Sequence, residues 1–182
     1  MDERVRDLSA FIDARSCSLL RFAYLLTGDH GLAEDLLQSS LIKVYLTWGR
    51  IRDRAALEAY TRTVMTRTQL SWWRRPARRE LLGVELTERV VRDHHHDPER
   101  DQVVERDEFW ALLATLGPRQ RAVLVLRFYE DLSEAEIARV LGCTTGTVKS
   151  QLSRGLARLR ERMSAEPRAR NTLMEEPLSL TS

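Results

Sequence analysis

The sequence predicts an all-α protein made of two small helical domains joined by a linker, the second a helix-turn-helix. Apolar residues recur at the three- and four-residue spacing of amphipathic helices, and no stretch alternates as a β-strand does. Turn signals such as Gly28, Gly117-Pro118 and Gly142 divide these helical stretches. A length of 182 residues, 43% of them hydrophobic, is sufficient to bury a core.

The N-terminal half is predicted to hold three helices, from about Arg4 to Leu26, Leu32 to Trp48 and Ala55 to Arg74. The second helix has an apolar stripe formed by Leu37, Leu41, Val44 and Trp48. Its opposite face carries Asp35, Gln38, Ser39, Ile42 and Leu46. Because apolar and polar side chains are mixed on that face, it has two interpretations. Either the helix packs against this chain on both sides, or the face binds another protein.

The third helix ends in a strongly basic segment. Nine arginines and only two acidic residues lie between Arg50 and Arg79, and Trp72 and Trp73 stand among them. Neighbours on a helix point about 100° apart, so only one of the two indoles can face a given core. Aromatic rings among arginines suit unstacked nucleic-acid bases, because the rings stack on bases while the guanidinium groups bind phosphate. Local packing of both rings is the alternative.

An acidic segment follows, with ten acidic residues and four arginines between Glu80 and Glu108. It contains His94, His95 and His96, but consecutive residues cannot form a rigid tetrahedral metal site alone. We therefore interpret this segment as a solvated linker.

The most specific pattern lies near the C-terminus. Ser133 with Glu136 three residues later forms a capping box that opens a short helix, which Gly142 ends. Thr144 then caps a second helix that runs to about Arg162. A short helix, a glycine turn and a capped second helix make a helix-turn-helix, although a helical hairpin with a basic exposed side shares the pattern.

The two faces of that second helix differ as a recognition helix requires. The buried stripe is formed by Val148, Leu152, Leu156 and Leu159. The residues expected to meet DNA, through base edges or phosphates, are Thr145, Thr147, Lys149, Ser150, Ser153, Arg154 and Arg158. Small side chains on this face allow close approach to the floor of a groove.

Several classes of protein are disfavoured by what the sequence lacks. It contains no phosphate-binding loop, nucleophile elbow or zinc-protease motif, so we expect neither an enzyme nor a cofactor. Cys17 and Cys143 lack the spacing of a metal site or a disulfide framework. No apolar run could cross a bilayer, and the N-terminus has no signal-peptide pattern, so we expect a cytoplasmic protein without membrane insertion.

Three segments resemble the extracytoplasmic-function (ECF) group of the sigma-70 family of bacterial RNA polymerase sigma factors. The stretches LGPRQRAVLVLRFYEDLSEAEIA (116–138) and GCTTGTVKSQLSRGL (142–156) are similar to the family's region 4. The stretch AEDLLQSSLIKVY (33–45) is similar to region 2.2. Leu57 to Arg75 falls where the family melts and reads the −10 element of promoters, but Ser71, Trp72 and Trp73 depart from the residues usual there.

The resemblance implies a domain organisation and a set of partners. Region 2 would span 1–78, an acidic linker 79–101, region 4 102–164 and a tail 165–182. Core RNA polymerase, through its clamp helices and flap, and promoter DNA would be the partners, and an anti-sigma factor is left open as a third.

The resemblance also assigns roles to residues. Region 2.2 would bind polymerase through Asp35, Gln38, Ser39 and Ile42. The −10 element would meet Arg62, Arg67, Trp72, Trp73, Arg74 and Arg75. The helix capped by Thr144 would read the −35 element. A free-standing helix-turn-helix regulator, which would bind duplex sites without polymerase, is the competing hypothesis.

Overall fold

The computed structural model describes residues 3–51, 53, 56–74 and 112–165, and every regular element in these ranges is helical. The N-terminal elements are helices α1 (Glu3–Thr27), α2 (His30–Thr47) and α3 (Leu57–Trp73), with a 3₁₀ turn at Trp48–Arg50. The C-terminal elements are α4 (Pro118–Leu124), a π-helical turn (Val125–Tyr129), α5 (Glu134–Leu141) and α6 (Thr145–Ala165). The predicted all-α fold class is confirmed.

The turn between α1 and α2 follows from its sequence. Gly28 adopts φ +76°, a left-handed conformation that favours glycine, and its N–H donates to the carbonyl of Tyr24 at 2.7 Å. The Asp29 carboxylate then accepts a hydrogen bond from the N–H of Leu32 at 2.8 Å and caps α2. This turn folds α2 back against α1.

The buried face of α2 differs from the predicted stripe. Val44 and Trp48 are buried as expected, but Leu37 and Leu41 are only half-buried. The other buried residues of α2 are Ala33, Leu36 and Ser40. Small Ala33 and Ser40 side chains allow α2 to lie close to its neighbours, which turns the helix away from the orientation that the largest apolar residues alone suggest.

Close packing also joins α4 to α6. Pro118 occupies the first turn of α4, where its missing N–H is tolerated. A Cβ atom added to Gly155 would lie 3.0 Å from Cδ1 of Leu124. Gly155 therefore lets α6 pass close to Leu124 of α4, and it supports the orientation of α6.

The N-terminal and C-terminal helices share one hydrophobic core. Leu19, Phe22 and Met65 from α1 and α3 belong to the same buried cluster as Val123 and Ile137 from the C-terminal helices. The rings of Phe22 and Tyr129 lie 6.4 Å apart across this boundary. The two halves are therefore packed together in this structure.

Arg121 is the polar centre of this packing. Its side chain is only 4% exposed. The guanidinium donates to carbonyls of its own half, those of Leu113, Ala114 and Leu116, and to those of Leu26 and Thr27 at the end of α1. Burial lowers the pKa of Arg121 to about 10, so the group stays charged at neutral pH. Carbonyl dipoles at the end of α1 thus compensate a buried charge.

Candidate nucleic-acid interface

The turn that precedes α6 has the predicted geometry. The Ser133 hydroxyl accepts a hydrogen bond from the N–H of Glu136, and the Glu136 carboxylate accepts from the N–H of Ser133 at 2.8 Å. Hydrogen bonds from Ser133 lower the pKa of Glu136, so this carboxylate remains ionised in the capping box. Gly142 ends α5 in a left-handed conformation, φ +64°. The capping box and the glycine turn are both confirmed.

Helix α6 begins as the sequence predicts. The Thr144 hydroxyl accepts a hydrogen bond from the N–H of Thr147 at 3.2 Å. Val148 is fully buried, and Leu152, Leu156 and Leu159 pack against the shared core. The helix is thereby fixed along one side and presents the other.

The structure exposes five of the seven candidate DNA-contact residues of α6: Thr145, Lys149, Ser153, Arg154 and Arg158. Thr147 and Ser150 are half-buried, and the Ser150 hydroxyl donates to the carbonyl of Thr147 at 2.9 Å. Lys149 lies 3.6 Å from the Glu134 carboxylate, an exposed pair that a phosphate could replace at little cost.

Two of the arginines expected at the −10 element, Arg62 and Arg67, make contacts within the chain. Arg62 pairs with Glu58 at 2.7 Å and with Glu130 at 2.9 Å. Arg67 donates to the carbonyls of Val140 at 2.8 Å and of Arg139 at 2.9 Å, in the last turn of α5. Both guanidinium groups therefore contact the C-terminal half of the chain, whereas Arg74 is exposed and Arg75 lies outside the described residues.

The two tryptophans do not separate into one buried and one exposed residue. Both Trp72 and Trp73 are half-buried, and Trp72 packs against the shared core. The expectation that one of them faces a core is met by Trp72.

The outward face of α2 is not covered by any other described element. Asp35 and Gln38 are exposed and Ser39 is half-buried. Ile42 is 56% and Leu46 76% exposed. Tyr45, which sequence reasoning did not single out, is exposed on the same helix. Among the described residues, α2 therefore packs on one side, and its outward face is open.

The described residues were compared with the requirements of a metal site and of a membrane span. Residues 3–51, 56–74 and 112–165 contain no cluster of His, Cys, Asp and Glu suited to a metal ion. Within the same ranges no helix has the length and apolarity needed to cross a membrane. The three consecutive histidines, His94–His96, lie outside the described residues.

Comparison with known proteins identifies the class that this fold and this surface define. Residues 12–79 match Sigma-70 region 2, and residues 106–159 match Sigma-70, region 4. The chain belongs to the sigma-70 family.

Individual relatives narrow this class. The chain is 38% identical over 161 residues to the RNA polymerase sigma-E factor of Streptomyces avermitilis, covering 88% of this chain and 87% of the relative. It is 33% identical over 183 residues to the ECF RNA polymerase sigma factor SigG of Mycobacterium tuberculosis, covering 87% and 49%. The protein is an RNA polymerase sigma factor of the ECF type.

Solved structures agree on the fold. The sigma factor RpoE of Bartonella quintana, solved with the anti-sigma factor NepR, has a TM-score of 0.64 at 24% identity, over 88% of this chain and 99% of that one. CnrH, solved with the cytosolic domain of CnrY, has a TM-score of 0.56 at 18% identity, over 88% and 90%.

Proposed function

We propose that this sigma factor divides promoter recognition between residues 1–78, which meet polymerase and the −10 element, and residues 102–164, which meet the −35 element. The acidic segment 79–101 joins the two parts, and 165–182 forms a tail. The observation that carries the proposal is a pair of outward helix faces. The face on α2 is apolar, and the face on α6 has small side chains and basic ones. Each helix is held in place by the buried face on its other side.

Helix α6 is proposed to enter the major groove at the −35 element. The cap at Thr144 directs the first N–H groups and the positive end of the helix dipole toward the DNA backbone. Thr147, Ser150 and Arg154 lie toward base edges, and Lys149 and Arg158 lie at the margins, where they suit phosphates.

The −10 element is proposed to meet the end of α3. Arg74 is exposed there, beside the half-buried Trp73, so an unstacked base and a phosphate could be bound side by side. Trp73 is the better candidate for stacking, because Trp72 packs against the core. Arg62, Arg67 and Arg75 complete the proposed surface.

The outward face of α2 is proposed to dock the clamp helices of core polymerase. Ile42 and Leu46 offer apolar area at its centre, and Asp35 and Gln38 flank them with hydrogen-bonding groups. An apolar patch with a polar rim is the usual anatomy of a protein interface.

Replacing Asp35 and Gln38 together with alanine should weaken binding to core polymerase by several-fold or more. The two side chains are the hydrogen-bonding groups beside the apolar patch, and we expect their joint loss to cost about 1–3 kcal/mol. Neither side chain is buried, so the fold should persist. Titration of labelled core polymerase measures the change. Asp13→Ala on the exposed side of α1 is the matched control and should bind as the parent does. Equal affinity of the double variant and the control would contradict the docking assignment.

The proposal also covers chemistry, location and a further partner. The protein supplies no chemistry of its own and acts only with core polymerase, which places it in the cytoplasm. The sigma factor RpoE, which has a similar fold, was solved with the anti-sigma factor NepR, and we propose that an anti-sigma factor of comparable kind binds this chain.

A further inference from the structure

A cleft beside the first two turns of α6 concentrates positive charge. It encloses about 270 Å³, close to the lower end of the roughly 300–1,000 Å³ that small-ligand sites occupy. Arg67 and Arg74 of α3 and Arg119 of α4 line it, and none of the described residues that line it is acidic. Three cations without a carboxylate among them attract a small anion.

The three guanidinium groups are available to such an anion. Arg74 and Arg119 are exposed, and no ion pair joins either of them to a described carboxylate. Arg67 donates to the carbonyls of Val140 and Arg139, which orients its side chain. Both of these partners are neutral, so the positive charge of Arg67 also remains for an anion. Guanidinium groups bind phosphate through paired hydrogen bonds.

The floor of the cleft is apolar. Val123 and Val148 are fully buried, and Leu70 and Leu141, which also line the cleft, are half-buried. Inorganic phosphate gains nothing from aliphatic side chains, whereas a flat organic ring removes apolar area from water when it lies on them. The cleft therefore suits an organic anion better than a bare one.

Gln151 supplies a group that can select a nucleobase. The residue lines the cleft and is half-buried, and its side chain makes no hydrogen bond to another residue that the structure describes. A carboxamide offers a donor and an acceptor side by side, which is the arrangement that pairs with N6 and N7 of adenine. Thr147, one turn earlier on α6, adds a hydroxyl to the same lining.

We propose that this cleft is a binding site for a free adenine nucleotide. The base lies against the apolar floor within reach of Gln151, and the phosphate groups lie among Arg67, Arg74 and Arg119. A cavity of this size holds a mononucleotide but not a helix of another protein. This inference goes beyond the proposed function, and its test needs neither polymerase nor promoter, so either can fail without the other.

Binding is measured with the full chain and mant-ADP, an ADP that carries a fluorescent group on its ribose. Its fluorescence anisotropy should rise to saturation, and unlabelled ADP should displace it. Inorganic pyrophosphate, which offers two phosphates without the nucleoside, should displace it about tenfold less well or worse, because it cannot use the apolar floor. A lack of saturable binding, or equal displacement by pyrophosphate, would overturn the nucleotide site. Displacement by a short oligo(dA) at lower concentration than ADP would also overturn it and assign the cleft to single-stranded DNA.

Arg119→Ala should weaken ADP binding about tenfold or more, because it removes one of three phosphate partners. Arg119 is exposed, so the fold should persist, and circular dichroism verifies this. If it does not persist, Arg119→Lys replaces it, with a loss of about threefold expected because lysine keeps the charge but not the paired hydrogen bonds. Arg160→Ala removes the same charge from an exposed position of α6 outside the cleft and should bind as the parent does. An equal loss in the two alanine variants would overturn the site, since net charge alone would then attract the nucleotide.

The base and the location are tested separately. Gln151→Leu should weaken ADP binding several-fold and leave pyrophosphate binding unchanged, and equal effects on both would contradict the contact with the base. Cys143 lines the same cleft, whereas Cys17 is exposed on α1. Saturating ADP should slow alkylation of Cys143 several-fold and leave the rate at Cys17 unchanged. Saturable ADP binding without protection of Cys143 would place the nucleotide elsewhere and overturn the proposal.

Discussion

Replacing Arg121 with alanine should lower the free energy of unfolding by about 3 kcal/mol or more. The guanidinium donates to five carbonyls from both halves of the chain. A hydrogen bond to a charged group makes a net contribution of about 1.5–3 kcal/mol. Truncation would leave the carbonyls of Leu26 and Thr27 at the buried end of α1 without this donor. Urea denaturation followed by circular dichroism measures the loss.

Arg119→Ala is the matched control for this prediction. Arg119 lies on the same helix and is exposed, so its removal should change stability by no more than about 0.5 kcal/mol. Equal, small effects of the two substitutions would show that Arg121 does not hold the halves together as described.

Arg154→Ala and Lys149→Ala should weaken promoter binding by holoenzyme in different ways. Arg154 lies on the outward face of α6, so its loss should cost about 1–3 kcal/mol and relax the preference at one or two base pairs of the −35 element. Lys149 lies at the margin of that face. Its loss should weaken binding to all sequences alike and reduce the salt slope by about one.

Competition between matched and mismatched −35 duplexes, repeated over a range of salt, separates the two effects. Arg160→Ala, on the same helix and exposed, is the control for a general loss of positive charge. If Arg154→Ala left the −35 preference intact while a substitution outside α6 altered it, the recognition helix would lie elsewhere in the chain.

Local signals explain why the helix-turn-helix could be predicted closely from the sequence. The capping box of Ser133 with Glu136, the left-handed Gly142 and the cap at Thr144 each act within four residues of the chain. Such contacts form wherever the segment folds, so the sequence pattern alone determines them.

The contacts between domains could not be predicted in the same way. The Arg62–Glu130 pair joins residues 68 positions apart, and the Arg121–Leu26 bond joins residues 95 apart. The sequence shows an arginine-rich segment, but it does not indicate which arginines meet phosphate and which meet a carboxylate from another domain. Gly155 was missed as a packing residue for a related reason, because its role depends on how closely α4 approaches.

The orientation of α2 shows the limit of periodicity. Its outward face was predicted from the polar positions, and the exposed Ile42 and Leu46 lie there. The centre of its buried face was displaced because Ala33 and Ser40 are small enough to admit neighbouring helices. The hydrophobic pattern therefore predicts which side of the helix is buried, whereas the volumes of its side chains determine which residues lie at the centre of the buried side.

Transcription by purified core RNA polymerase from a library of random upstream sequences tests the central claim most directly. With the full chain added, transcripts should start downstream of two short recurring elements at a fixed spacing, and core polymerase alone should not select them. Transcription without selected elements, together with tight and specific binding of the free chain to duplex sites, would contradict a promoter-specificity subunit and favour a free-standing regulator.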